Sequence, residues 1–235
     1  MRFARYGLYE LFFFGGLALG LALVCALGVS FWLSPFIGLP LALIFLALGV
    51  FVASFFRDPE RATPGGSLDI LSPADGTVSF VGSEDGTEYV NGTTHKLSIF
   101  LSVFNVHVNR VPLDAEVEYL RYKPGKFLDA RHPECATLNE QQIIGMRAVA
   151  AGNVRIVVRQ IAGLIARRIV CPLRPGDKLT RGVRFGMIKF GSRTELLVDA
   201  ATCDVEWLVK PGDKVFGCAT VVGRIVLKTQ ASAAT

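Results

Sequence analysis

Three short segments of this chain hold residue types that can move protons or make bonds. The first, Ser72-Pro73-Ala74-Asp75-Gly76-Thr77-Val78, sets a carboxylate inside a Pro-Asp-Gly turn that opens a β-branched run. The second, Phe100-Leu101-Ser102-Val103-Phe104-Asn105-Val106-His107-Val108-Asn109-Arg110-Val111-Pro112, carries one imidazole in an apolar stretch. On an extended chain the odd positions 103 to 111 share a face, so His107 lies among Val103 and Val111 with Asn109 beside it. The third, Phe185-Gly186-Met187-Ile188-Lys189-Phe190-Gly191-Ser192-Arg193-Thr194-Glu195, places Gly-Ser between two apolar stretches. An imidazole titrating near neutrality can serve as a base, and a serine hydroxyl needs such a base to become a nucleophile. Each segment also has an ordinary structural explanation. These are a turn, a hydrogen-bonded core histidine, and a bulge or tight corner at glycine.

The elements that must position these groups are legible from composition. Of 235 residues, 51% are apolar and 19% charged, against about 25% charged for a typical soluble domain. The excess is local, because residues 11 to 56 contain no Asp, Glu, Lys or Arg. The remaining positions carry about 24% charged residues, an ordinary balance for a folded domain. A 46-residue apolar helix would be about 69 Å long, roughly twice a hydrocarbon core. The run therefore reads as two membrane-spanning helices, 11–33 and 36–56, broken at Ser34-Pro35. This predicts an anchor over 1–56, a Pro- and Gly-bearing linker over 57–66 and a β-rich domain over 67–229. Arg2 and Arg5 precede the first span, Arg57 and Arg61 follow the second, and the turn between carries no basic residue. The positive-inside tendency then puts the domain on the cytoplasmic face of a bacterial inner membrane.

From Ser67 onward, short β-branched runs alternate with Gly, Pro, Asp and Asn. The runs are Thr77–Val81, Lys96–Leu101, Val106–Val111, Glu116–Tyr122, Ile143–Val149, Val154–Ile161, Ile165–Val170, Phe185–Phe190, Glu195–Val198 and Ala219–Val226. Their spacing of roughly 8–12 residues predicts a mainly β domain, a barrel or sandwich. Arg174-Pro175-Gly176-Asp177-Lys178 is echoed by Lys210-Pro211-Gly212-Asp213-Lys214, a pair of turns typical of lipoyl/biotinyl-like hybrid sandwiches. The tail from Gln230 is small and polar and is expected to fray. The net charge of +5 lies outside the apolar run and favours anionic membrane lipids as partners; no motif points to nucleic acid. Five scattered cysteines and three histidines show no metal-ligand spacing, so reduced thiols and no metal site are expected.

Together the three segments resemble phosphatidylserine decarboxylases of the short, membrane-tethered prokaryotic type. The resemblance runs from about Phe55 to Ile225. It takes in Phe55-Phe56-Arg57-Asp58-Pro59, the Pro-Ala-Asp-Gly turn, the Phe-Leu-Ser…His107…Pro segment, Gly125-Lys126-Phe127, Asn139-Glu140 and the late Phe-Gly-Ser. It implies a proenzyme that cuts itself between Gly191 and Ser192 into a β chain (1–191) and an α chain (192–235) that stay associated. Ser192 would become a covalent pyruvoyl group, the cofactor that forms a Schiff base with phosphatidylserine. Loss of CO₂ then gives phosphatidylethanolamine. His107 is implied as the base for Ser192 and as proton donor, with Asp75 supporting its imidazolium form. Gly191 would permit a strained backbone at the cut. Arg193 and His132 are candidate substrate contacts, and homo-oligomer formation is left open.

Two positions depart from the family pattern. A His-x-x-His found in longer members has Arg110 at its second place, and Leu-Gly-Ser-Thr reads Phe190-Gly191-Ser192-Arg193. A rival reading is a membrane-anchored lipoyl/biotinyl-like carrier or adaptor without catalysis. The paired Pro-Gly-Asp turns favour it, and the lack of a Lys at a hairpin tip in a small-residue–Lys–Met setting speaks against it.

Overall fold

A computed structural model describes residues 2–164, 168–189 and 191–228. The expected strand ends at Ile165 and Phe190, the last residue of the expected domain and the polar tail fall outside the described residues. The chain divides into two compact units, Met1–Glu60 and Arg61–Thr235.

In the first unit, α1 (Leu8–Val24) runs into a π-helical turn, Cys25–Val29, and a short α2 (Ser30–Trp32). After the break comes α3 (Pro35–Phe55). Ser34 ends the first stretch and caps the second: its Oγ accepts from the Phe36 N–H at 3.3 Å, and Pro35 occupies the first helical position, where its missing N–H costs nothing. The helical stretches 5–32 and 35–55 are each long and apolar enough to cross a membrane. They approach closely at the π turn. A Cβ on Gly38 would overlap Ser30 and the Cys25 carbonyl, so only glycine fits there.

The second unit is mainly β, as expected. Its strands are β1 (Asp69–Leu71), β2 (Gly76–Glu84), β3 (Thr94–Leu101), β4 (Val108–Arg110), β5 (Ala115–Lys123), β6 (Gln141–Ala148), β7 (Val154–Ala162), β8 (Arg168–Val170), β9 (Lys178–Leu179), β10 (Arg184–Lys189), β11 (Ser192–Asp199), β12 (Cys203–Trp207), β13 (Lys214–Val215) and β14 (Val221–Leu227). A four-residue helix, α4 (Cys135–Leu138), interrupts the β5–β6 connection. Eight strands form one antiparallel sheet curled into a half-barrel, in the order β13-β2-β3-β11-β7-β6-β5-β9. Two three-stranded sheets, β1-β14-β12 and β4-β10-β8, complete the domain. Alternate residues of the central strands, including Leu97, Ile99, Ile144, Met146, Ile156 and Leu196, fill one buried core.

The Pro-Gly-Asp echo is the visible part of a larger internal repeat. In each turn the Asp side chain accepts from the backbone N–H three residues earlier, Asp177 from Arg174 at 2.8 Å and Asp213 from Lys210 at 2.9 Å. Gly176 and Gly212 take left-handed backbone, φ 91° and 97°. Each turn leads into a two-residue strand, β9 or β13, and these strands form the two edges of the large sheet. Their partners, β5 and β2, both shift register just past the pairing, at Val117/Tyr119 and at Val78/Phe80. β1-β14-β12 then corresponds to β4-β10-β8, and β3/β11 to β6/β7. The domain is thus two similar halves, related by a pseudo-twofold between β11 and β7. The inner half, β4 to β10, is inserted where the outer half would close its β3–β11 hairpin.

Gly145 on β6 lies beneath the stacked rings of Tyr89 and Tyr119, where an added Cβ would come within 2.6 Å of one ring. Gly145→Ala is expected to destabilise the domain by about 1–3 kcal/mol through overpacking, read as a lowered denaturation midpoint of the full chain in detergent.

Candidate active site

Both junctions between the halves carry chemistry-bearing residues. At the outgoing junction, β3 ends at Leu101 and a compact turn follows. Asn105 Oδ1 accepts from the Ser102 N–H and hydroxyl at 2.9 and 2.8 Å. The chain then presents His107, fully buried, just before β4. His107 Nδ1 lies 2.9 Å from the Asn105 carbonyl, a group that only accepts, so Nδ1 holds the proton and Nε2 is the basic nitrogen of the neutral ring.

At the returning junction, β10 ends at Lys189 and β11 begins at Ser192, in a different sheet. Gly191 turns this corner with φ 56°, a conformation that carries a penalty for any residue with a Cβ. The strand expected from Glu195 starts three residues earlier, so Ser192 belongs to the central sheet. It pairs with Leu101 on one side and Ala162 on the other. Ser192 is fully buried, and its Oγ has no hydrogen-bond partner among the described residues. An orphaned buried hydroxyl is costly, which makes it a functional candidate.

The two junctions meet at one level of the fold. The Ile188 N–H donates to the His107 carbonyl at 3.3 Å, and Ile188 packs on Ala162, the residue opposite Ser192. Two residues along, Asn109 Nδ2 donates to Thr194 Oγ1 at 3.0 Å while Asn109 Oδ1 accepts from Gln160 at 2.8 Å. Asn109 thus lies beside Thr194, and His107 is linked through Ile188 to Ala162, the strand neighbour of Ser192. Gly163 closes the far side of the corner, where a Cβ would overlap the Gly191 carbonyl. Asn139, fully buried, ties the β5–β6 loop to the end of β7 through Leu128 and the Ala162 carbonyl. A cavity of about 420 Å³ opens beside Gly191, lined also by Leu101, Val103, Ala130, Arg131 and Leu164.

Asp75 has other partners than His107. Its carboxylate takes both Arg61 nitrogens, at 2.5 and 2.7 Å, and the Gly217 N–H at 2.8 Å. The turn it anchors offers the Pro73 carbonyl to the Arg110 N–H at 2.9 Å and to Asn109 at 3.4 Å. Asp75 therefore reaches the His107 strand through backbone. Arg193 is largely buried and lines a second cavity, whereas His132 is exposed, between Arg131 and Pro133 of that cavity's rim. Arg131 beside Asp129 holds that carboxyl down at about 2. Burial pushes the nearby Cys135 thiol up, which keeps it protonated at neutral pH.

Sequence reading missed Gly163, Arg61, Lys96 and Glu195 as parts of this region. Lys96 and Glu195 did leave a signal, each being a charge flanked by residues that the strand pattern buries. Gly163 and Arg61 left none, because their roles arise from contacts distant in sequence.

Comparison with known proteins places the chain in a family. Residues 48–227 match the family model described as phosphatidylserine decarboxylase. Three bacterial relatives bear the name phosphatidylserine decarboxylase proenzyme. That of Carboxydothermus hydrogenoformans is 45% identical over 208 residues, covering 88% of this chain and 92% of its own. The protein of Symbiobacterium thermophilum is 46% identical over 193 residues, 82% of this chain and 87% of its own. In a Geobacter species identity is 43% over 215 residues, 92% of each chain. The chain belongs to the phosphatidylserine decarboxylase family and is a carboxy-lyase whose substrate is phosphatidylserine.

Proposed function

We propose that the chain is a self-processing proenzyme, cut between Gly191 and Ser192, that decarboxylates phosphatidylserine at a membrane surface. The observation that carries this is the buried, unpartnered Ser192 Oγ beside a left-handed glycine and level with a buried imidazole. His107 Nε2 takes the Ser192 proton as Oγ attacks the Gly191 carbonyl carbon. The C–N bond breaks, the new amine gains a proton, and an ester links 191 to 192. Loss of the Ser192 Cα proton then expels the Gly191 carboxylate and leaves a dehydroalanine at 192. Water hydrolyses its imine tautomer, releasing ammonia and leaving a pyruvoyl amide as the new N-terminus.

The corner suits such a group: residue 192 is held on both sides by strands, and the neighbouring cavity borders Gly191. A pyruvoyl ketone supplies a carbonyl that takes up the electron pair released with CO₂. His107 stands ready to return a proton to the substrate carbon, and the buried surroundings limit access of water. Asp75 acts as a positioning residue, holding the Pro73 turn against the strand of Asn109.

The domain organisation follows from the same reading. Residues 1–56 anchor the enzyme as two spanning helices, 57–66 link, and 67–229 form the catalytic domain. The basic flanks orient that domain to the cytoplasmic face of the inner membrane, among anionic lipids. Tethering keeps the site at high effective concentration relative to a substrate that stays in the bilayer.

Two expectations test this. Purified full chain should run as two polypeptides of 191 and 44 residues, the smaller one blocked at its N-terminus. Ser192→Ala should leave a single chain, and His107→Ala should slow cleavage by at least 10²-fold; wild-type cleavage of the His107 variant on a denaturing gel would remove the assigned base. Asp75→Asn and Arg61→Gln should slow cleavage equally, and the double variant no further than either alone. If Asp75→Asn costs much more than Arg61→Gln, Asp75 acts on His107 directly.

A further inference from the structure

The internal repeat lets one half of the domain serve as a reference for the other. In the inner half the outward face of the sheet around Gly145 is filled by Ile143 and Val157 packed against Tyr89, Val90 and Tyr119, and Arg155, the counterpart of Arg193, lies over the Tyr89 ring. Strand registers put Lys96, Ser98 and Glu195 at the equivalent places in the outer half, for Ile143, Gly145 and Val157 respectively. There the face is charged and holds an open cavity of about 440 Å³, lined by Ser79, Phe80, Lys96, Ser98, Arg131 and Arg193 among others. The fold therefore does not need charges at these positions. Buried ion pairs add little stability over apolar packing, so their presence calls for another explanation.

Charge balance indicates what the cavity takes. Lys96 pairs with Glu84 and, at 3.0 Å, with Glu195; Arg159 pairs with the same two carboxylates at 2.7 and 3.2 Å. These ties hold the Glu84 carboxyl below the usual range despite partial burial, which alone would raise it. Arg193 is the third cation for two carboxylates. It comes no closer than 3.8 Å to Glu195, only 11% of its side chain is exposed, and its Nε is buried with no hydrogen-bond partner among the described residues. The cluster thus carries one positive charge in excess, concentrated on Arg193 at the cavity wall. Such a group favours an anion with oxygens to accept its donors.

The cavity is also in the right place. It shares Phe100 and Arg131 with the cavity beside Gly191, and the Arg131 guanidinium lies 5.9 Å from the centre of the Phe100 ring. In phosphatidylserine four bonds separate the amine nitrogen from phosphorus, a span of about 5 Å, and consecutive Cα atoms lie about 3.8 Å apart. Arg193 and the Ser192 side chain face opposite sides of β11, but Ser192 is the first residue of that strand and the two cavities adjoin at Phe100 and Arg131. An amine held at the backbone of position 192 therefore sets its phosphate within reach of Arg193 over the strand end. We propose that this cavity is the subsite for the phosphodiester of the substrate headgroup, with Arg193 its direct ligand and Lys96 and Arg131 its flanking charges. The assignment rests on the decarboxylase reading above.

The test uses the full chain in detergent with two substrates, a short-chain phosphatidylserine and an O-acylserine that keeps the amine and carboxylate but lacks phosphate. Arg193→Gln should lower kcat/KM for phosphatidylserine at least tenfold, mainly through KM, and leave the O-acylserine unchanged. Inorganic phosphate should compete with phosphatidylserine in the wild type and lose that effect in the variant. An equal fall for both substrates, or phosphate inhibition unchanged by the substitution, overturns the proposal. Should Arg193→Gln block self-cleavage, Arg131→Gln on the exposed rim takes its place, with a smaller rise in KM for phosphatidylserine alone. Wild-type turnover insensitive to phosphate overturns the subsite in either case, and phosphate bound there without competing with lipid assigns it to free phosphate instead. A wild-type chain inert toward phosphatidylserine overturns the underlying reading, an outcome distinct from all of these.

Discussion

Backbone pairing of β11 on both edges is the constraint from which the site follows. From Ser192 onward each residue faces a partner on β3, and nearly all face one on β7 as well, so the strand has no free side and no slack. The first residue of such a strand is fixed by its neighbours rather than by the chain that precedes it. That chain must still arrive from another sheet, and it does so through Gly191 in a conformation that glycine alone adopts cheaply. Rigid strand and left-handed corner meet at one peptide bond. Gly163 and Asn139 hold the opposite wall, while Asn109 holds the histidine strand to Thr194.

The polar interior of the domain is arranged in two layers around that bond. On the core side, Asn109, Gln160 and Thr194 satisfy one another, which offsets the cost of burying amides and a hydroxyl. On the outward side, carboxylates and cations alternate across four strands, with Glu84, Lys96, Glu195 and Arg159 in mutual contact. Asp75 belongs to neither layer. Its bidentate tie to Arg61 and its bond from Gly217 join the start of the domain to its last turn. The same position in the inner half is Asp114, which accepts the Arg181 N–H at 2.8 Å but has no arginine side chain on it among the described contacts. The repeated element is the aspartate-capped turn, and the arginine is an addition of the outer half.

Much of this was legible in the chain. Alternating β-branched runs bounded by Gly and Pro indicated a β-domain, because half-buried strands impose a period of two. The charge-free run and Ser34-Pro35 indicated two helices, since a membrane-length apolar segment tolerates neither charge nor a mid-run break by other means. His107, Gly191 and Ser192 stood out by type. The two- and three-residue strands β1, β8, β9 and β13 did not, because pieces so short take their conformation from a partner. The repeat was visible only as Pro-Gly-Asp, the one stretch where both halves need the same left-handed glycine. Elsewhere equivalent places hold Ile143 and Lys96, or Val157 and Glu195, and no sequence comparison of the halves would align them without the registers. Asp75 was singled out as a support for His107, yet its side-chain partner is Arg61, a residue whose proximity only the fold reveals.

The nested arrangement of the halves also bears on chain ends. Termini of folded proteins ordinarily fray, since a last residue is held from one direction only. A break before Ser192 would make an end of a different kind, lying in the middle of a sheet with partners already in place on both sides. It would inherit the order of an interior residue and could not peel away from an edge. A reactive group borne on that end would be among the least mobile atoms of the molecule, a property that a loop or a tail cannot confer.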